Sequence, residues 1–183
     1  SNIIDDSTYA VINSDSFNPY NKYNPDELPT DLVGKDVGFI TEPTYENGSI
    51  SIKKLSKIDQ DAQEKARAKH ILLRFDDSNK STVRTEANRI LNLLRSGSDF
   101  GETARTYSQD GSASNGGDLG WFTDGMMVKP FQDAVFSRRR SGLIPRIIET
   151  DFGFHIINVT YPKTRTSYFV ANISKDILPS DNT

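Results

Sequence analysis

The sequence has no cysteine, and its 183 residues include only one tryptophan, two methionines and two histidines. Without cysteine there can be no disulfide, no thiolate nucleophile and no thiolate metal site. No apolar run approaches the roughly 18 to 20 residues that a helix needs to cross a bilayer. An excess of one charge is also missing, since 22 basic and 25 acidic residues leave a net charge of −3. Nucleic acid is held by a basic face, and nothing in this balance calls for a nucleic-acid partner. The one basic cluster, Arg138-Arg139-Arg140, reads as the solvated end of a helix. What remains, 35% hydrophobic and 26% charged, fits a globular chain of one ordinary domain with an appendage, or two small domains. The chain opens Ser1-Asn2 without a methionine, as expected of a piece cut from a longer protein. Any signal peptide or anchor would then lie outside it.

Residues 1–34 are rich in Asn, Asp, Pro and Tyr and are expected to be mostly irregular, with a short helical turn near "PDELPTDLV". In "DVGFITEPTYENGSISIKKL", Asn47-Gly48 suits a type I′ hairpin turn, which needs positive φ at both central residues. Ile50 and Ile52 then alternate with serines as one face of a strand. "SKIDQDAQEKARA" reads as a charged linker, and "AKHILLRF" as a buried strand. Val83, Ala87, Ile90 and Leu94 have helical spacing, with Gly97 as the stop. Asp99 and Glu102 form a capping-box pattern for a second helix. "QDGSASNGG" is expected to be a long loop and "DLGWF" a short strand. Pro130 suits the first turn of a third helix. "LIPRIIETDFGFHIINVTY" reads as two strands joined tightly around Asp151 to Gly153. This order of elements is an α+β arrangement. Segments 35–58 and 164–178 lack the apolar residues for a core of their own, and are expected to pair as a small flanking sheet built from both ends.

Between about 67 and 162, the pieces "AKHILL", "DFGETARTYSQD", "GGDLGWF", "MVKPFQDAVF" and "TDFGFHI" resemble, in order and spacing, the parvulin-type peptidyl-prolyl cis-trans isomerases. The resemblance implies a parvulin (FKBP-like) domain over 64–162, an antiparallel sheet of about four strands with surrounding helices. It implies rotation about X-Pro bonds, whose barrier is roughly 18–20 kcal/mol. No bond is made in that reaction, so no nucleophile, cofactor or metal is required. A catalyst must hold the prolyl ring and favour the twisted amide over either planar form.

By the same resemblance Leu119, Met127 and Phe131 line the proline pocket, and Phe152 lies on its rim. His70, Asp110, Thr150 and His155 form the polar network, with the two histidines neighbours on adjacent strands. Trp121 is expected beneath the pocket. Asp110 stands where phosphorylation-directed relatives carry cysteine, which argues for electrostatic rather than covalent action. The loop "DDSNKSTV" lacks the basic cluster of phosphate-directed parvulins, so phosphoserine before proline is not expected. "PRII" at 145–148 departs from the common Ser-x-Pro-Val. The flanks look more loosely like periplasmic, membrane-anchored foldases of the PpiD and SurA type, especially those of Bacteroidetes-like bacteria. This implies unfolded polypeptide clients with exposed X-Pro bonds, an extracytoplasmic location, and membrane attachment only through a segment outside this chain. The competing reading is a weak or inactive parvulin module that binds extended apolar segments as a chaperone.

Overall fold

The computed structural model describes residues 5–177. The expectations for Ser1-Asn2, for the start of the irregular segment and for residue 178 lie outside the described residues. The chain divides into two units. One comprises the two chain ends, up to Ala62 and from Arg165, and the other is Gln63–Thr164.

In the first unit, α1 (Asp6–Asn13) is capped by the Asp5 carboxylate, which accepts from Thr8 N at 2.9 Å. β1 (Tyr20–Tyr23) follows, then a 3-10 turn at Thr30–Leu32 inside "PDELPTDLV". The expectation of a mostly irregular N-terminal segment is therefore corrected. Few aliphatic residues are present, but those few are well placed: Leu28 and Leu32 pack with Leu55 and Val170, flanked by Tyr23 and Tyr168. β2 (Thr44–Glu46) turns through Asn47 (φ 51°) and Gly48 (φ 80°) into β3 (Ser49–Leu73), as the dipeptide requires. β7 (Gly153–Asp176) passes between β1 and β3, and its end pairs antiparallel with β1, Tyr20 opposite Ala171.

β3 continues without a break through "SKIDQDAQEKARA", which is strand rather than linker. An exposed ribbon needs no apolar alternation, and polar cross-strand pairs are enough to hold it. Gln60 Nε2 donates to Thr166 Oγ1 at 3.2 Å, and Ser167 Oγ donates to Asp61 at 2.6 Å.

The second unit has the expected α+β parvulin arrangement. α2 (Lys80–Arg95) buries Ala87, Ile90, Leu91 and Leu94. α3 (Phe100–Tyr107) starts at Asp99, whose carboxylate accepts from Glu102 N at 2.8 Å. The expected loop at 111–115 is a 3-10 turn. β4 (Asp118–Thr123) pairs with the end of β3, with a register shift between Arg67 and Lys69. α4 (Lys129–Phe136) carries Pro130 in its first turn. The short strands β5 (Gly142–Leu143) and β6 (Ile148–Thr150) pair with β7, His155 opposite Ile148. One apolar cluster gathers Ala66, Phe122, Phe131, Val135, Ile157 and Val159. A second packs α2 and α3 through Ile71, Ile90, Leu91, Ala104, Phe154 and Ile156.

Candidate active site

Two glycines in the second unit stand where no side chain fits. Gly117 (φ 77°) accepts from His70 N at 2.8 Å, and a Cβ added there would meet the His70 carbonyl oxygen at 2.2 Å. Gly153 (φ 143°) lies against Leu73 in the same way, and a Cβ added there would meet the Leu73 carbonyl oxygen at 2.3 Å. Positive φ and close backbone approach both demand glycine. Together they bring the segments before β4 and after β6 against the end of β3, where His70 sits. Asp118 fixes the first of these segments: its carboxylate accepts from Gly120 N at 3.0 Å and pairs with Arg67 Nη2 at 2.7 Å.

The segment after α3 docks beside the same strand. Leu72 N donates to Ser108 Oγ at 3.1 Å, and Gln109 N donates to the Leu72 carbonyl at 2.8 Å. This puts Asp110 Oδ1 at 3.0 Å from His70 Nε2. The approach is in ion-pair range but off the line of a straight N–H···O bond, since Nε2 has no aligned partner among the described residues. Ser112 satisfies the carboxylate further, through its N–H at 2.9 Å and its hydroxyl at 2.6 Å. Burial alone would raise the Asp110 pKa, but His70 and the Ser112 donors outweigh it and hold the group well below the usual carboxylate range. Asp110 is therefore an anion at any physiological pH.

The two histidines are buried, 5% and 4% exposed, and their Nδ1 atoms lie 3.1 Å apart. His155 Nε2 lies 2.8 Å from Thr150 Oγ1, which accepts the Phe152 N–H at 3.1 Å. The proton positions follow from this geometry. Thr150 Oγ1 already accepts from Phe152, so its own proton is free for His155 Nε2. His155 then carries its proton on Nδ1 and donates it to His70 Nδ1. His70 in turn is protonated on Nε2, the nitrogen facing Asp110. The opposite order would set an imidazole lone pair against a carboxylate. Burial first, and then the nearby His70, depress the His155 pKa from 6.5 to about 4, so at neutral pH this ring is uncharged as the ordered chain requires.

Above this polar chain lies an apolar groove of about 430 Å³, with Leu119, Met127, Phe131 and Phe152 in its walls and His70, His155 and Asp110 beneath. The Phe131 ring stands edge-on to both imidazoles, at 5.6 and 5.4 Å between centroids. Seven of the eight residues named from the sequence thus meet at one groove. The eighth, Thr150, stands behind it and supports His155. Trp121, expected beneath the pocket, instead lies against Tyr161 at 5.1 Å and under Lys65.

The groove also contains residues that sequence reasoning did not name: Leu72, Arg74, Met126 and Val128. Leu72 follows His70 by two along β3 and shares its face, and Arg74, one residue past the end of the strand, keeps the same step, so the alternation of "HILLR" was the available signal. Met126 is 64% exposed on the rim, and nothing in its local sequence distinguishes it from a loop residue. Among the described residues no group of three or more His, Asp or Glu could hold a metal.

Comparison with known proteins agrees with this geometry. The model of the PPIC-type PPIase domain matches residues 50–163. The foldase protein PrsA of Geobacillus kaustophilus (strain HTA426) is 37% identical over 146 residues, covering 79% of this chain and 48% of that protein. A chaperone SurA of Burkholderia lata is 44% identical over 92 residues, which is 50% of this chain and 20% of that protein. The chain therefore spans about half of the first relative and a fifth of the second. The crystal structure of a PpiC-type peptidyl-prolyl cis-trans isomerase domain superposes with a TM-score of 0.53 at 29% identity, over 56% of this chain and 94% of that domain. More than half of the sequence lies inside the matching family model, and the chain belongs to the PPIC-type peptidyl-prolyl isomerase, or parvulin, family.

Proposed function

We propose that the protein accelerates cis–trans rotation of X-Pro bonds in unfolded or extended polypeptides, without a covalent intermediate. The observation that supports this most directly is an apolar groove laid over a buried, ordered polar chain. A planar prolyl amide owes its stiffness to charge separation, with negative charge on oxygen and positive charge on nitrogen. Leu119, Met127 and Phe131 seat the prolyl ring, and Phe152 bounds the residue before it. Asp110 supplies a fixed negative charge beside the groove. An anion near the carbonyl oxygen penalises the planar, charge-separated amide more than the twisted one, and so lowers the barrier. The linked histidines and Thr150 keep the floor of the groove fixed while the bond turns.

Residues 64–162 form the isomerase domain in this reading, with 35–58 and 164–178 as flanking β segments of a larger foldase body. Kinship with proteins named foldase and chaperone supports unfolded polypeptides as clients and a location outside the cytoplasm. No helix among the described residues is long and apolar enough to cross a membrane, and in this reading a segment outside the chain provides attachment. A chaperone role by binding alone is the second reading, favoured by the exposed apolar rim of Met126, Val128 and Phe152.

The two readings separate in exchange NMR on short Ala-X-Pro-Y peptides with substoichiometric protein. Accelerated exchange that both Asp110→Ala and Met127→Ala reduce, with the fold intact, is the expected result. Binding without acceleration for every X would leave only the chaperone groove.

A further inference from the structure

Next to the proline groove, on the far side of Val128, is a second cavity of about 570 Å³ for which the isomerase reading has no use. Phe75, Val128 and Pro130 form its apolar wall, and Lys80, Glu149 and Asp151 its polar one. It shares Val128 with the groove, and Thr150, which steadies His155, is also in its lining. A polypeptide seated by its proline in the groove therefore has a continuous path across Val128 into this cavity.

The charges in the cavity are not equivalent. Glu149 is clamped by Lys80 at 2.5 Å and by Arg84 at 2.6 Å, and its pKa is lowered, first by Lys80. Lys80 is thereby neutralised, and its ammonium also lies 4.9 Å above the Phe75 ring. Asp151 is different. It is exposed at the tip of the β6–β7 turn and makes no ion pair among the described residues. The neighbouring Phe152 N–H to Thr150 bond and the close-packed Gly153 hold that turn in place. Lys80 and Arg84 both turn to Glu149, and Asp151 is the carboxylate of the lining that is left without an ion pair among the described residues.

An apolar wall beside one uncommitted carboxylate matches a side chain with a long methylene stem and a cationic head. We propose that this cavity is a second subsite, taking a lysine or arginine side chain of the same polypeptide whose proline occupies the groove. The proposal rests on the reading of the groove as the prolyl site, and it adds a sequence preference to it. Asp151 acts here by recognition and takes no part in bond rotation.

The test is a positional scan. Peptides with one proline in an alanine–glycine background carry lysine, norleucine or glutamate at each flanking position in turn. Affinity is read from backbone amide shifts of Phe75, Val128 and Asp151, and turnover from exchange spectroscopy. At one position, on one side of the proline, lysine should bind roughly two- to fivefold tighter than norleucine, the size of an exposed ion pair. That ratio should fall to about one in Asp151→Asn and at high salt, and should shift toward glutamate in Asp151→Lys. Comparing peptides within each variant cancels any loss of fold or of general affinity. A lysine gain that survives in Asp151→Asn overturns the proposal, and so does a scan in which no position separates lysine from norleucine. If the wild type speeds no peptide, the isomerase reading falls, and the binding ratios still decide the subsite.

Discussion

Acidification from about pH 7 to about pH 5 should remove close to 2 kcal/mol of folding stability, mostly through His155. This ring is 4% exposed, and its pKa falls from 6.5 to about 4 because burial, and then His70, penalise its charged form. The unfolded chain takes up a proton near pH 6.5 and the folded chain does not, so between these values the unfolded state binds more protons. Stability is then complete above about pH 6.5 and is lost as the pH falls toward about 4, reaching about 3 kcal/mol for the whole shift. Asp110 barely contributes between pH 7 and pH 5, because the folded group stays ionised and the unfolded one, with a pKa of 3.8, is still almost wholly ionised at pH 5. The assay is urea unfolding at constant ionic strength, followed by the fluorescence of Trp121, the only tryptophan and a residue of the second unit. His155→Gln keeps polar atoms near Thr150 but cannot titrate, and its stability should lose most of this pH dependence. A wild-type slope under about a quarter of the expected value, or an equal slope in His155→Gln, would refute the reasoning.

Asp110→Asn keeps the shape of the side chain and removes its charge. Isomerisation should slow by about tenfold or more, chiefly in kcat, because the lost charge no longer disfavours the bound planar amide relative to the twisted one; single-turnover exchange on one peptide measures it. Thr150→Val takes the proton from His155 Nε2 and the acceptor from Phe152 N–H. It should cost about 1–3 kcal/mol in urea unfolding and should move the His155 proton in nitrogen-15 spectra. Gly117→Ala would set a methyl group at 2.2 Å from the His70 carbonyl oxygen. A loss above about 2 kcal/mol is expected, together with shifted His70 resonances, and near-wild-type stability would contradict the close approach.

Much of the second unit was legible because its signals are local. The Asp99 cap, the buried stripe of α2 and Pro130 at the start of α4 each reflect a rule that operates within a few residues. The site was legible only as a pattern across segments, since "KHILL" and "FGFHI" do not by themselves say that the two imidazoles touch. What failed to show was governed by distant partners. The N-terminal segment orders itself around Leu28 and Leu32, which meet Leu55 and Val170 far along the chain. The stretch that reads as a linker is a strand because β7 lies beside it. The subsite around Asp151 combines residues from 75 to 151, and no single window contains it.

The composition of β3 and β7 has a consequence for the order in which the chain can fold. Ser49 reaches Asp176 across 127 positions, and Ser14 reaches Ser174 across 160. The first unit thus joins the beginning and the end of the chain, whereas Gln63–Thr164 is one uninterrupted segment. Closing so long an open loop is entropically costly and slow. Once the inner segment has folded, the exits of β3 and β7 are already neighbours, and the loop left to close is a few residues instead of about a hundred. The inner segment should thus act as the nucleus for its own flanks. During synthesis it can be complete while residues 165 onward are still emerging, and a lesion such as Gly117→Ala should delay closure of the terminal sheet although no atom of that sheet has changed.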